Sequence, residues 1–394
     1  MKVSGVICEY NPLHKGHEAM LRRLRQQGAE AIVCAMSGNF VQRGEPAIVG
    51  KRARAEMALR CGADLVLEIP TPWSTATAET FARGGVEILR RTGVVTELAF
   101  GSESGDVQAS TAVADALDSA EYQAALSQLT EDGRTFAARR QAAVAQILDE
   151  SHAALLERPN DILAVEYIRA LRGTAIQPAA ILRAGADHDA AEAKDGSVSA
   201  SYVRRLLQQG RAEEALGFLP DAAAKIMRRE IEEQRAPADL DRCERAVLDR
   251  LRRMDEEDFA AYDGGGEGLY HRVYRAAREC ATVEEWLDRV KTKRYTHARL
   301  RRMLLAIWLD LKEVPERLPY IRLLGANETG RRLLRQMYDA PILTKAADVG
   351  RLGREAEEMF SREARWSDLY ALTLPVPARC GEDWRMTPVM IGER

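Results

Sequence analysis

Residues 3–26 read VSGVICEYNPLHKGHEAMLRRLRQ, and the order of elements in this stretch decides the fold. It opens on VSGVIC (3–8), a short β-branched run that predicts a buried strand. Asn11 and Pro12 then mark a turn, because asparagine hydrogen-bonds locally and proline presets φ for a bend. Beyond the turn, Met20, Leu21 and Leu24 return at helical spacing, so an amphipathic helix follows. Strand, turn and helix in that order begin a parallel sheet covered by helices.

Further along the chain the pattern recurs. Strands are expected at EAIVCAM (30–36), DLVLEI (64–69), TELAFG (96–101) and QPAAILR (177–183), with helical runs between them such as Met57, Ala58 and Cys61. Beyond Pro220 strand-like runs nearly vanish, and helices rich in Arg, Glu, Leu and Ala take over, broken at GGGEG (264–268), Pro315 and Pro319. The clearest helix carries Leu300, Met303, Leu304, Ile307 and Leu311 on one stripe, with Arg299 and Arg302 off it. The expected architecture is α/β: a Rossmann-like domain with a parallel sheet over residues 1–215, followed by a mainly α-helical domain over 216–394.

Composition excludes several classes. The 394 residues, 46% of them hydrophobic, can bury more than one core. With 57 Lys and Arg against 60 Asp and Glu, the net charge of −3 gives no overall pull toward nucleic acid or anionic lipid, so no DNA or membrane partner is expected and any RNA surface must be local. Cys8, Cys34, Cys61, Cys243, Cys280 and Cys380 form no CxxC pair, which suits reduced thiols. No stretch has the length of a membrane span or the layout of a secretory signal, so a cytoplasmic location is expected.

The chemistry concentrates where the first helix begins. His14 and His17 lie three residues apart and share a helix face, so both can point at something held against the helix N-terminus. That end attracts phosphate through its free N–H groups and dipole, and Gly16 lets backbone approach a ligand closely. Imidazole donors there would stabilise charge developing on phosphate oxygens during an in-line displacement. Surface or cap residues, and a metal pair, are the competing readings; no third metal ligand is singled out nearby. A second candidate is VSASYVRRLL (198–207), where Ser199 and Ser201 precede Arg204 at the start of a helix: alone the serines read as caps, but paired with the His motif Ser199 reads as an ATP contact and Arg204, one turn on, as a fork onto β- and γ-phosphates. GEPAIVGK (44–51) resembles a P-loop but has one residue too many between its glycines, and Arg52 replaces the Ser or Thr that would hold magnesium. Gly38, Arg43 and Glu45 follow the second strand, where ligands bind in such sheets.

Together these residues resemble the HxGH nucleotidyltransferase superfamily, with His14-Lys15-Gly16-His17 as its first signature and Ser199 to Arg204 as its second. Within it, EYNPLHKGH, MSGNFVQRGEPA, GADLVLEIP, FGSE, RPNDILAVEY, ILRAGADHD and SASYVR, in that order, resemble the bacterial tRNA(Met) cytidine acetate ligase family. The likeness continues through EGLYHRV, VKTKRYTHARLRR and PYIRLLGANETGRRLL, and so covers nearly the whole chain. It implies that acetate attacks the α-phosphate of ATP to give acetyl-adenylate, and that the acetyl group passes to N4 of cytidine 34 in the anticodon of elongator tRNA(Met). It further implies catalytic roles for His14 and His17, and ATP contacts from Ile7, Cys8, Glu9, Tyr10, Asn11, Pro12, Leu13, His14, Lys15, Gly16, His17, Glu18, Ala19 and Met20. Gly101, Asn160 and Arg183 match further ATP positions, with Mg2+ expected to arrive with the nucleotide. Cys8 stands where the family often has valine and Leu13 where phenylalanine is usual, while Tyr202 falls within the second signature.

Between Arg289 and Arg302 there are seven Lys or Arg residues and no Asp or Glu, with Tyr295 and His297 interleaved. Such a patch tracks a phosphate backbone, and a tyrosine beside it can stack on an unstacked loop base. Lys291, Lys293, Arg294, Tyr295, Arg299 and Arg302 are therefore the tRNA-binding candidates; a solvated helix face is the plain alternative. Rival functions are a small-molecule adenylyltransferase or acid-activating synthetase on the same fold, which needs no basic helical part, and a non-catalytic tRNA-binding protein, which needs no intact His14, Gly16 and His17.

Overall fold

The computed structural model describes residues 1–129, 135–183, 198–263, 268–292, 295–338 and 340–392. Its strands in chain order are β1 (Val3–Cys8), β2 (Ala31–Ser37), β3 (Phe40–Val41), β4 (Glu45–Pro46), β5 (Leu65–Ile69), β6 (Glu97–Ser102), β7 (Gln177–Leu182), β8 (Ile321–Ala326), β9 (Ile342–Leu343) and β10 (Val389–Met390). All five strands expected from the sequence form. They line up as β5-β2-β1-β6-β7, every pair parallel.

The sheet is buried on both faces, which is why β2 and β5 read as continuous apolar runs rather than alternating ones. Alternate residues of β2 serve two cores. Ile32, Cys34 and Met36 pack with Leu21, Leu24, Val203 and Leu206 on one face. Ala31, Val33 and Ala35 face the other, whose core runs on without a break into Trp286, Leu300, Met303 and Trp308 of the helical part.

The structure departs from the sequence reading in the second half. Mainly helical it is, with helices at Glu244–Arg253, Leu269–Glu279, Val283–Val290, His297–Leu309 and Arg354–Tyr370. Yet β8, β9 and β10 come from this half and complete the sheet, so that strands on both sides of residue 215 share it. β8 pairs antiparallel with β5, Glu68 opposite Arg322, which makes the sheet mixed and mostly parallel rather than purely parallel. The break expected at 264–267 lies outside the described residues.

Strand order locates the site. From β1 the chain builds β2 and β5 on one side, then crosses to build β6 and β7 on the other, so the order reverses between β1 and β6. In open α/β sheets the crevice at the carboxyl ends of the strands flanking that reversal is where ligands bind.

Candidate active site at the carboxyl ends of the central strands

β1 ends at Cys8, and the chain turns sharply into the first helix, Lys15–Gln26. Tyr10 sits in the left-handed region at φ 47°, a conformation that costs a non-glycine residue free energy and concentrates at functional sites. His14 is the N-cap. Its Nδ1 accepts the backbone N–H of Gly16 at 3.1 Å, while Nδ1 of His17 accepts the backbone N–H of His14 at 3.3 Å. This is the reciprocal geometry of a capping box, built here from two imidazoles. Because each Nδ1 is an acceptor, each neutral ring carries its proton on Nε2, and the backbone thereby fixes the tautomer. The rings stack at 3.8 Å between centroids, and Tyr10 meets His17 edge-on at 5.1 Å. A Cβ at Gly16 would lie 2.9 Å from Cε1 of His14, so this position has no room for a side chain unless the ring moves.

The second signature closes on the first. Ser199, a candidate phosphate contact, caps helix Ala200–Gln208 by accepting the N–H of Tyr202 at 3.1 Å. Arg204 donates Nη1 to the Asn11 carbonyl at 2.9 Å, and its Nη2 reaches Ser201 Oγ at 3.2 Å and Glu45 at 3.0 Å. Its fork thus ties the turn of the first helix to the β3–β4 hairpin instead of facing open space. Asn11 Oδ1 accepts Ile48 N–H at 2.6 Å, which leaves the buried Nδ2 with no partner among the described residues. Glu9 accepts the Gln42 N–H from the hairpin at 2.8 Å. Burial raises the Glu9 carboxyl above its ordinary value, with Glu45 adding and Gln42, Arg204 and Arg43 opposing.

Arg54 is a residue that sequence reasoning missed. Fully buried, it donates to the carbonyls of Val49 at 2.9 Å, Glu9 at 2.7 Å and Ser37 at 3.0 Å, and also to Gly38. It locks the ends of β1 and β2 together under the crevice. Nothing in KRARAEMALR marks this arginine from its neighbours, because its partners are backbone carbonyls that no pattern reveals.

Across the crevice, the ends of β6 and β7 and the start of helix Pro159–Ala170 place Gly101, Asn160 and Arg183 next to one another. Arg183 Nη1 donates to Asn160 Oδ1 at 3.3 Å, and Asn160 donates in turn to Glu103. A Cβ at Gly101 would sit 3.2 Å from Arg183 Cγ. Asp161, fully buried, gathers Ser102 Oγ and the N–H groups of Glu103 and Ser104, which shapes the turn after β6.

The stretch 7–20 divides by burial. Ile7, Tyr10 and Leu13 are core side chains, while Met20 is half-buried against one of the cores. Lys15 is exposed and its Nζ is held by the Gly217 carbonyl at 2.7 Å, and Glu18 pairs with Arg22 at 3.1 Å. Lys51, the lysine of the rejected P-loop, is taken up in a buried cluster with Glu68 at 2.8 Å and Asp383 at 2.9 Å.

The basic patch is partly recast. Lys293 and Arg294 lie outside the described residues. Tyr295 is 7% exposed and belongs to the core, with Arg299 over its ring at 5.2 Å, so it offers no free face to a base. Arg299 also lies 3.7 Å from Asp263. Arg302 abuts the β3–β4 hairpin: a Cβ at Gly44, whose φ is +78°, would fall 2.4 Å from the Arg302 backbone nitrogen. Burial lowers the Arg302 guanidinium from its ordinary value, with Arg299 adding to the effect.

Residues 1–382 match the family model described as HIGH Nucleotidyl Transferase. The tRNA(Met) cytidine acetate ligase of Fervidobacterium nodosum is 36% identical, over 95% of this chain and 95% of its own. The Thermotoga maritima protein of the same name is 35% identical over 97% of this chain and 99% of its own. The crystal structure of Thermotoga maritima TmcAL in its apo form I is similar at a TM-score of 0.95 and 34% identity, covering 100% of both chains. A second form of that protein, bound with alpha-thio ATP, is similar at a TM-score of 0.92.

Proposed function

The chain belongs to the HIGH nucleotidyltransferase family and, within it, to the tRNA(Met) cytidine acetate ligases, and from that membership we propose that it activates acetate with ATP and acetylates N4 of cytidine 34 in the anticodon of elongator tRNA(Met). The observation that carries this reading is the imidazole capping box at the head of the first helix, facing the strand-order reversal between β1 and β6.

The triphosphate lies against the N-terminus of helix Lys15–Gln26, where backbone N–H groups and the helix dipole favour anions. An acetate oxygen attacks the α-phosphorus in line, and the bond to diphosphate breaks. His14 and His17, held as Nε2–H tautomers, donate to the phosphate oxygens on which charge develops. Gly101 leaves room for the nucleotide, Asn160 offers a hydrogen bond to it, and Arg183 supplies positive charge. The exocyclic amine of cytidine then attacks the acetyl carbonyl, and AMP leaves. No group of three or more His, Cys, Asp or Glu among the described residues is placed to hold a metal, so Mg2+ in this reading arrives on the nucleotide's phosphates and no step is assigned to it.

Among the described residues no helix is long and apolar enough to cross a membrane. We place the protein in the cytoplasm, where its nucleotide and tRNA substrates are. The tRNA approaches along helix His297–Leu309 and the exposed Lys291, so that Arg299 and Arg302 meet phosphates next to the hairpin. Arg302→Glu is expected to weaken tRNA binding roughly tenfold at moderate salt and to flatten the salt dependence by about one charge. Filter binding across a salt series checks this; an unchanged slope in a folded variant removes Arg302 from the RNA surface.

Incubation with ATP and labelled acetate, with and without elongator tRNA(Met), tests the reaction. AMP release with label on cytidine 34 is the expected result. ATP consumption with a different acid and no label on tRNA would assign the chain to the small-molecule adenylyltransferases.

A further inference from the structure

Acetyl transfer makes a demand that the histidines do not meet. As the C–N bond forms, cytidine N4 must lose a proton, because the exocyclic amine becomes acidic once it bonds to the acetyl carbon. His14 and His17 already use Nδ1 as acceptors of backbone N–H groups, so their Nε2 atoms carry protons and donate. A separate acceptor is needed within reach of the acetyl group.

The carboxylates around the crevice among the described residues differ in how far they are engaged. Asp161 is fully buried under Ser102, Glu103 and Ser104. Glu103 has one oxygen on Asn160 and the other on the Asp161 N–H at 2.9 Å. Glu45 is ion-paired with Arg204 at 3.0 Å. Glu9 is different. One of its oxygens is pinned by the Gln42 N–H at 2.8 Å, and the second has no hydrogen bond or ion pair among the described residues while the residue stays partly exposed. Its own carbonyl is clamped by Arg54 at 2.7 Å, so the backbone that carries it is rigid. It directly follows Cys8, the last residue of β1, and therefore stands at the strand-order reversal. The hairpin that pins it is the one whose tip, Gly44, packs on the backbone of Arg302.

We propose that Glu9 is the catalytic base of acetyl transfer, its second carboxylate oxygen accepting the proton from cytidine N4. This rests on the reaction under Proposed function. The N4–carbonyl bond forms, the acyl–phosphate bond breaks, AMP carries away the electron pair of that bond, and the N4 proton ends on Glu9, from which water removes it. Burial raises the proton affinity of this carboxylate above that of an exposed one, the direction a base needs. The groups that face it are Arg43 and Glu45 from the hairpin, Arg204 from helix Ala200–Gln208, Arg54 from helix Lys51–Arg60 and Tyr167 from helix Pro159–Ala170, with Cys8 at the end of β1 just before it.

The test uses the full chain with Glu9→Gln, which keeps shape and the Gln42 contact but cannot accept the proton. Two rates are read: acetate-dependent ATP–diphosphate exchange, and single-turnover transfer from preformed acetyl-adenylate to tRNA. Transfer is expected to fall by about 10²–10³-fold, at least a hundredfold more than any fall in exchange, with loss of the acid limb of the transfer pH profile. Equal losses in both rates would make Glu9 an ATP contact and overturn the proposal, as would a transfer rate within threefold of the unmodified protein. If the Gln variant does not fold, Glu9→Asp decides: a slower transfer that keeps its acid limb supports the base, and an unchanged rate overturns it. An unmodified protein that exchanges with acetate but never labels tRNA would instead remove the acetyl-transfer reading itself, and the role of Glu9 with it.

Discussion

Replacing His17 by alanine lowers acetate-dependent ATP–diphosphate exchange by about 10²–10³-fold, the cost of removing one donor aimed at developing charge in a preorganised site. The expected loss exceeds what the local structure would cost. His17 supplies an acceptor to the His14 N–H at 3.3 Å and a stacking face at 3.8 Å, so its truncation opens one half of a capping box. A lost cap costs about 1 kcal/mol, which cannot unfold a chain with two continuous cores. The two effects separate cleanly in His17→Gln. Glutamine at this third helical position is an ordinary capping-box residue, so it restores the cap without an imidazole. Denaturant midpoints should place the Gln variant near the unmodified protein and the Ala variant slightly below, with both nearly inactive in exchange. A fully active Gln variant would mean that His17 only closes the helix end, and the phosphate role would fall to other groups.

That helix end shows how far the sequence could be read. Strand 3–8, the turn and the first helix were all legible because they rest on local chemistry: β-branching, a proline turn and apolar residues at helical spacing. So was the meeting of Gly101, Asn160 and Arg183, but only through family resemblance, since the three lie on different elements and no spacing links them. What escaped depends on partners far along the chain. IRLLGA (321–326) follows two prolines in an otherwise helical half, and its strand identity comes from pairing with β5 some 250 residues earlier. Gly38, Arg43 and Glu45 mark their loop as a ligand-binding end of the sheet, yet Phe40 and Val41 between them are fully buried, Phe40 against Trp308 and Tyr370. Tyr295 erred the other way: a basic neighbourhood suggested a free ring, and helix packing covered it.

Lys51→Met is expected to destabilise the protein by about 3–5 kcal/mol, the largest effect on folding among single changes away from the crevice. Its ammonium sits in a buried cluster, 2.8 Å from Glu68 and 2.9 Å from Asp383, with Arg322 3.0 Å from Asp383 and 3.7 Å from Glu68. Two cations thus balance two carboxylates and join β5 and β8 to the short helix Glu382–Arg385 near the chain's end. Burial alone would lower the Lys51 pKa, but Asp383 and Glu68 outweigh it and hold the lysine charged. A third carboxyl, Glu363, is pushed up to about 8, by burial first and then by Glu68, with Lys51 and Thr71 opposing. Because its folded value lies above its ordinary 4.5, the folded state holds a proton that the unfolded chain releases, and this group's contribution falls as pH rises from about 4.5 through 8. Methionine removes a cation that opposes that shift, so the folded value of Glu363 climbs further and the loss of stability with pH extends upward. Urea unfolding of both proteins at pH 6 and pH 9 checks magnitude and sign together. The double variant Lys51→Met with Glu68→Gln separates charge from shape: removing both members of a buried pair is often near neutral, so it should recover part of the loss. If the double variant is no more stable than Lys51→Met alone, the cost comes from packing around the lysine stem, and the orphaned-carboxylate account of this cluster is wrong.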